Sequence, residues 1–155
     1  MQQQEMIKKL VEATNEVFET MVFRRLESGV PIEGDALRPR SNVVGTVGFA
    51  GSRSGLVAFY STMDTANSIA SSMLGIDPAQ LNGEMADAIG EITNMIAGSF
   101  RTKMAKEGDV WAISIPTVTV GSDFYTKYVT DVRRILCPFR MEDEEIFVEL
   151  IVMKQ

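Results

Sequence analysis

A chain of 155 residues with 45% apolar and 23% charged side chains has the size and balance of one globular domain with a sizeable core, which excludes disordered and fibrous classes. The net charge of −6 excludes the basic face that nucleic-acid backbones and anionic membrane surfaces require. There is no histidine, so Ser-His-Asp and Cys-His nucleophiles and His-ligated metals are excluded, and any chemistry must use carboxylates, amides, hydroxyls or amines.

The one cysteine, Cys137, has no partner for an internal disulfide and reads as a small apolar core residue. Residues 1–5 lack the basic start and apolar centre of a signal peptide, and no apolar run reaches membrane-spanning length. The expected setting is therefore the cytoplasm, with no membrane contact and with residues 1–155 as a single domain.

Met6, Leu10, Val17 and Met21 recur at helical spacing, which predicts an amphipathic helix over residues 3–27 ended by Gly29 and Pro31. The polar, turn-rich stretch 29–39 reads as a loop. Two β-rich runs, 43–50 and 55–60, flank Gly51-Ser52-Arg53-Ser54 and predict a hairpin. Its glycines 45, 48, 51 and 55 mark bulges or close backbone approach. Residues 61–74 return to helical spacing, with Ser61 and Asp64 fitting a capping box and Gly75 a stop. Asp77, Pro78 and Gln80 then predict a capped helical turn, and Asn82 is placed to cap a long helix over 83–106. Strands are expected over 110–121, within 124–130, over 134–140 and over 146–153, the last two joined across Glu142-Asp143-Glu144-Glu145. Pro116 and Pro138 each remove a ladder donor and belong at an edge, a bulge or a bend. Trp111 reads as core. The element order predicts an α+β fold with helices packed on a mostly antiparallel sheet, the 43–60 and 134–153 hairpins being loosely alike.

On a wheel of the long helix, Met85, Ile89, Ile92, Ile96 and Phe100 fall within a sector of roughly 80° and form a buried stripe. Asp87, Glu91, Asn94, Gly98 and Arg101 occupy the opposite face. Most such faces are simply solvated. Gly90, Asn94 and Gly98, however, are poor helix formers at about 0.5–1 kcal/mol each, and the glycines leave room for a partner's backbone. Glu91 and Asn94 stand one turn apart, where an amide can hold a water by donating and accepting at once and a carboxylate can pair with a cation. No metal cluster, phosphate loop or activated nucleophile accompanies them in the sequence, so the missing chemistry has to come from a partner.

The run Asp87-x-x-x-Glu91-x-x-Asn94, with Pro116 following Asn94 by 22 positions, resembles the signature of the CheC/CheX/FliY phosphatases. Residues 11–14, 18–21 and 114–118 are similar too, and closest to CheX. The resemblance implies a CheC/CheX-like domain that hydrolyses the aspartyl phosphate of a CheY-type response regulator in chemotaxis or related two-component signalling. It assigns to Asn94 the orienting of the attacking water and to Glu91 a pairing with the receiver's lysine. Asp87, Gly90, Gly98 and Arg101 become partner-binding positions and Pro116 the motif proline. It further implies Mg2+ in the receiver's pocket, no cofactor or metal in this chain, and a homodimer.

Other readings remain open at this level. Glu12 and Asn15 form a second Glu-x-x-Asn pair, but Lys8 replaces the acid or serine four residues before, and Pro39 follows Asn15 by 24 positions instead of 22. Asp64 and Asn67 read as helix-start chemistry. Arg101 and Lys103 could assist an acidic partner or be merely solvated. The same helix face would equally serve a non-catalytic module that binds receivers or flagellar-switch components, and the β-rich C-terminal region could make a dimeric scaffold.

Overall fold

The computed structural model describes residues 2–34, 39, 41–105, 111–128 and 130–154. It is an α+β fold: three helices, α1 (Gln2–Val17), α2 (Met63–Leu74) and α3 (Glu84–Met104), pack on a curled antiparallel sheet. The strands are β1 (Glu27–Ser28), β2 (Ile32–Glu33), β3 (Ser41–Ala50), β4 (Ser54–Ser61), β5 (Ala112–Ile113), β6 (Thr117–Phe124), β7 (Val132–Met141) and β8 (Glu144–Met153). The sheet runs β1-β7-β8-β4-β3-β5, with β2 also on β7 and β6 also on β3. The two hairpins, β3–β4 and β7–β8, lie where the alternating patterns put them and form its centre.

Several boundaries differ from expectation. The first helix is five residues shorter than its apolar spacing implies. It widens into one π-turn over Phe18–Val22 and stops at Phe23, whose φ of 62° is left-handed. No glycine is needed, because the exit is held from outside: the Arg24 guanidinium reaches Ser68 and Ser72 on α2 at 3.3 Å and Glu142 at 3.0 Å. The expected loop at 29–39 contains β2, while positions 35–38 lie outside the described residues. Thr62 caps α2 in place of Ser61, its Oγ1 accepting from the Thr65 N–H at 3.2 Å, because Ser61 is still paired to Val43 within β4. Asp77 caps the turn at Pro78–Gln80 as expected. Asn82 does not cap α3: Gly83 holds that position at a φ of 92°, and the Asn82 N–H donates to the Glu84 carboxylate. The strand expected over 110–121 is two strands, β5 and β6, broken at residues 114–116, with Val110 outside the described residues. Residues 125–128 and 130 form no strand, and Val129 lies outside the described set.

The sheet reveals an internal repeat that the sequence barely displays. Residues 27–33 cross β7 as residues 112–118 cross β3: Ser28 faces Phe139 as Ile113 faces Phe49, and Ile32 faces Leu136 as Thr117 faces Thr46. Each crossing breaks around a proline, Pro31 or Pro116. In each break one N–H bonds across at 2.8 Å, Gly29 to the Pro138 carbonyl and Ser114 to the Gly48 carbonyl. The helices correspond through Glu12-Ala13-Thr14-Asn15 and Glu91-Ile92-Thr93-Asn94, in which Thr14 and Thr93 both bond back to the carbonyl one turn earlier, at 2.8 and 2.7 Å. The halves are exchanged: the short strands after α1 complete the hairpin of the second half, and those after α3 complete the hairpin of the first.

The main core lies between helices and sheet. There Phe49, Phe100 and Trp111 pack with centroids 5.3–6.0 Å apart and tie the end of α3 to β3. A smaller cluster covers the sheet's other face around Val44, Ala58, Tyr60, Leu136 and Ile151. Within it Arg134 clasps Glu149 through Nε at 2.6 Å and Nη2 at 2.9 Å, Tyr60 donates to the same carboxylate, and the Tyr128 ring lies 4.9 Å beneath the guanidinium.

Burial, reinforced by the Glu149 charge, pushes the Cys137 thiol up to about 12 and raises the Tyr60 phenol well above its ordinary value. Unfolded thiols and phenols ionise near 8.5 and 10. Above pH ~9 the unfolded chain therefore loses protons that the native chain retains, and stability falls as pH rises. The urea midpoint is expected to decline steadily from pH 9 to 11, with Cys137 unreactive toward iodoacetamide at pH 8 until the chain unfolds. A flat midpoint and rapid native alkylation would contradict the burial described.

Candidate functional site

Helix α3 is gripped on three sides. Ile89, Ile92, Ile96 and Phe100 are buried as their spacing implies, and the buried arc also takes in Ala88, Gly90, Thr93 and Ala97. What remains outside is a narrow polar strip. Asp87 and Glu91 are exposed along it, and Asn94, Gly98 and Arg101 are partly buried at its margins. The structure thus places Glu91 and Asn94 side by side on a rigid, solvent-facing strip, one helical turn apart. Acidic Glu84 and Asp87 in the first turn and basic Arg101 and Lys103 in the last complement the helix dipole.

Gly90 has a different task from the one its sequence position suggests. It is buried, and a Cβ there would lie 3.3 Å from Val118 Cγ2 and 3.9 Å from Pro116. The missing side chain makes room for this chain's own β6, so Gly90 is not a surface onto which a partner's backbone settles. A Cβ added to Gly98 would meet nothing within 4 Å, so this glycine leaves the strip open. Pro116 is exposed in the break between β5 and β6, beside Gly90 and hence beside Glu91. Lys103 is committed within the chain, its Nζ 2.6 Å from Glu16 on α1.

Ile115 belongs to the 114–118 stretch that the sequence singles out, but its exposure was not foreseen. It is 83% exposed directly before Pro116. Ser114 pins the break on either side, its Oγ accepting from the Gly48 N–H at 2.8 Å and donating to the Ile115 carbonyl at 3.0 Å.

The second pair is built differently. Glu12 lies 3.9 Å from Lys9, and Asn15 donates to Ser28 at 3.4 Å while its Oδ1 is buried. The proline that matches Pro116 is Pro31, not Pro39, which alters the spacing test but not the local contrast: Val11 stands where α3 has Gly90. Among the described residues no three carboxylate, thiol or imidazole groups converge to hold a metal ion, and no helix is long and apolar enough to cross a membrane.

The model of the family described as chemotaxis phosphatase CheX matches residues 43–140. Among solved structures, the chemotaxis protein CheX of Desulfovibrio desulfuricans is 28% identical at a TM-score of 0.86, covering 96% of this chain and 99% of that one. CheX of Vibrio vulnificus is 26% identical at 0.86, with the same 96% and 99% coverage. The CheX chain in a CheX–CheY–BeF3–Mg2+ complex from Borrelia burgdorferi is 23% identical at 0.78, covers 96% of this chain and 97% of that one, and is a likeness of fold alone. No match is found among curated protein sequences.

Proposed function

The chain belongs to the chemotaxis phosphatase CheX family, and from that membership and its outward-facing Glu91–Asn94 pair we propose that it hydrolyses the aspartyl phosphate of a CheY-type response regulator. The observation that carries this reading is a carboxylate and a carboxamide held side by side on a helix whose rotation is set by buried packing on both flanks. Residues 1–155 act as one cytoplasmic domain, and the output is chemotaxis or related two-component signalling.

Asn94 enters beside the phosphoaspartate, and its amide donates to and accepts from one water, holding it in line with the phosphorus. The water oxygen bonds to phosphorus as the bond to the aspartyl oxygen breaks, leaving a free carboxylate, inorganic phosphate and one proton. Glu91 pairs with the receiver's lysine and fixes the docking angle. Asp87, Arg101 and the open surface at Gly98 border the contact. The receiver's own acidic pocket would hold magnesium, whose charge would then offset that of the phosphoryl oxygens. This chain's contribution is position.

The test mixes the protein with a magnesium-bound, phosphorylated CheY-type receiver and follows loss of phosphate against spontaneous decay. Acceleration supports the reading. Binding without acceleration would favour a non-catalytic module using the same face.

We also assign a homodimer to this chain, formed at the outer edge of β6, which pairs only with β3 among the described residues. That edge exposes Thr117, Thr119 and Val120, carries charge only at Asp123, and so lacks the usual protection against strand pairing. Light scattering is expected to give twice the 17.1 kDa chain mass for the wild type and the single-chain mass for Thr119→Lys/Val120→Lys. A wild type that stays monomeric at micromolar concentration would remove the homodimer. A dimer indifferent to the two lysines would place it elsewhere.

A further inference from the structure

The two Glu-x-Thr-Asn helices differ most in how they are seated. On α3, Thr93 is fully buried, and a Cβ added to Gly45 of β3 would lie 2.2 Å from its Oγ1, 3.2 Å from its Cβ and 3.4 Å from Ile89 Cγ2. Val118, the residue facing Gly45 across the β3–β6 ladder, sits in the space left by Gly90. Helix and sheet therefore exchange one knob each, at positions adjacent in the sheet and three apart on the helix. Thr93 enters the notch at Gly45, and Val118 enters the notch at Gly90. In the other half of the repeat Val11 replaces Gly90 and Ile135 replaces Gly45, so neither notch exists.

Glu91 and Asn94 each follow one of the seated residues, so any lift or roll of α3 at this seat moves both groups on the strip. We infer that Thr93 and Gly45, with Gly90 and Val118, are positioning residues that aim Asn94, and that this double notch is what distinguishes the working helix from α1. The inference rests on the proposed phosphatase reading. It adds that the geometry of the amide is set from beneath, at residues no substrate touches. A displacement of about 1 Å at a reacting group can reduce turnover about a hundredfold, so a modest misfit at the seat has a large kinetic reading.

Steady-state kinetics on the phosphorylated receiver separate this role from a purely structural one. Gly45→Ala, with the fold verified by circular dichroism, is expected to lower kcat at least tenfold with KM within about twofold. Gly45→Ala/Thr93→Ala removes the colliding hydroxyl and is expected to recover most of the loss. If Gly45→Ala does not fold, Thr93→Ala and the shape-retaining Thr93→Val replace it. The first should lose kcat about tenfold, and the second, which keeps the β-branched shape, should stay within about threefold of wild type. A folded Gly45→Ala or Thr93→Ala with wild-type kcat overturns the inference. A wild type that gives no acceleration overturns the phosphatase reading instead, which keeps the two failures distinct.

Discussion

Replacing Asn94 with alanine is expected to remove the acceleration of receiver dephosphorylation by about a hundredfold or more while leaving docking largely intact. The amide can donate to and accept from a single water, which neither the Glu91 carboxylate nor the Arg101 guanidinium can do, and alanine leaves Glu91 and the helix seat untouched. Alanine is also a better helix former than asparagine, so no loss of fold is expected to confuse the result. Glu91→Ala should fail differently. It deletes the exposed charge proposed to pair with the receiver's lysine, so the loss should appear as a weaker complex, roughly threefold to tenfold in KM and steeper at low salt. Binding is measured with a receiver carrying a stable phosphate mimic, turnover with the phosphorylated form. Unimpaired turnover in Asn94→Ala would sink the assigned mechanism.

Glu149→Ala carries the second large effect, this time on stability. Glu149 is 2% exposed and Arg134 5%, and the carboxylate accepts both the guanidinium fork and the Tyr60 hydroxyl. Its removal leaves a buried cation without its counter-ion, which costs about 3–5 kcal/mol. For a domain of this size that is a fall of roughly 10 °C in Tm. The paired change Arg134→Met/Glu149→Leu replaces both charges by apolar groups and should cost far less than Glu149→Ala alone. Calorimetry on the wild type and the two variants decides it. Equal losses in the single and paired variants would mean that shape, not charge compensation, holds that face. Because the cluster lies on the sheet face turned away from the helices, kcat per folded molecule should be unchanged in both variants.

How much of this was readable in advance varies with the range of the interactions involved. The stripe and strip of α3 were legible because helical period alone sorts Ile89, Ile92 and Ile96 from Asp87 and Glu91. Asp77 and Gly75 were legible because caps act on neighbours. The end of α1 was not, since Arg24 is anchored on α2 and Glu142, far away in sequence. Strands of two residues such as β1 and β2 carry too little alternation to register. Gly90 announced only that a side chain is missing. What fills the space is Val118, and only the folded sheet brings it there. The repeat was hidden for a similar reason. Its shared residues, Glu-x-Thr-Asn and a strand-breaking proline, are separated by unequal lengths of chain in the two halves.

The exchange of short strands between the two hairpins also constrains how this chain can be made. Strands β1 and β2 emerge early from the ribosome, but the strand they pair with, β7, is about a hundred residues further on. At ~5–20 residues per second that is a wait of roughly 5–20 s, during which residues 27–33 have no ladder to join. The first half of the repeat therefore cannot complete its short strands until the β7–β8 hairpin has emerged, and through that interval residues 27–33 present unpaired backbone donors and acceptors.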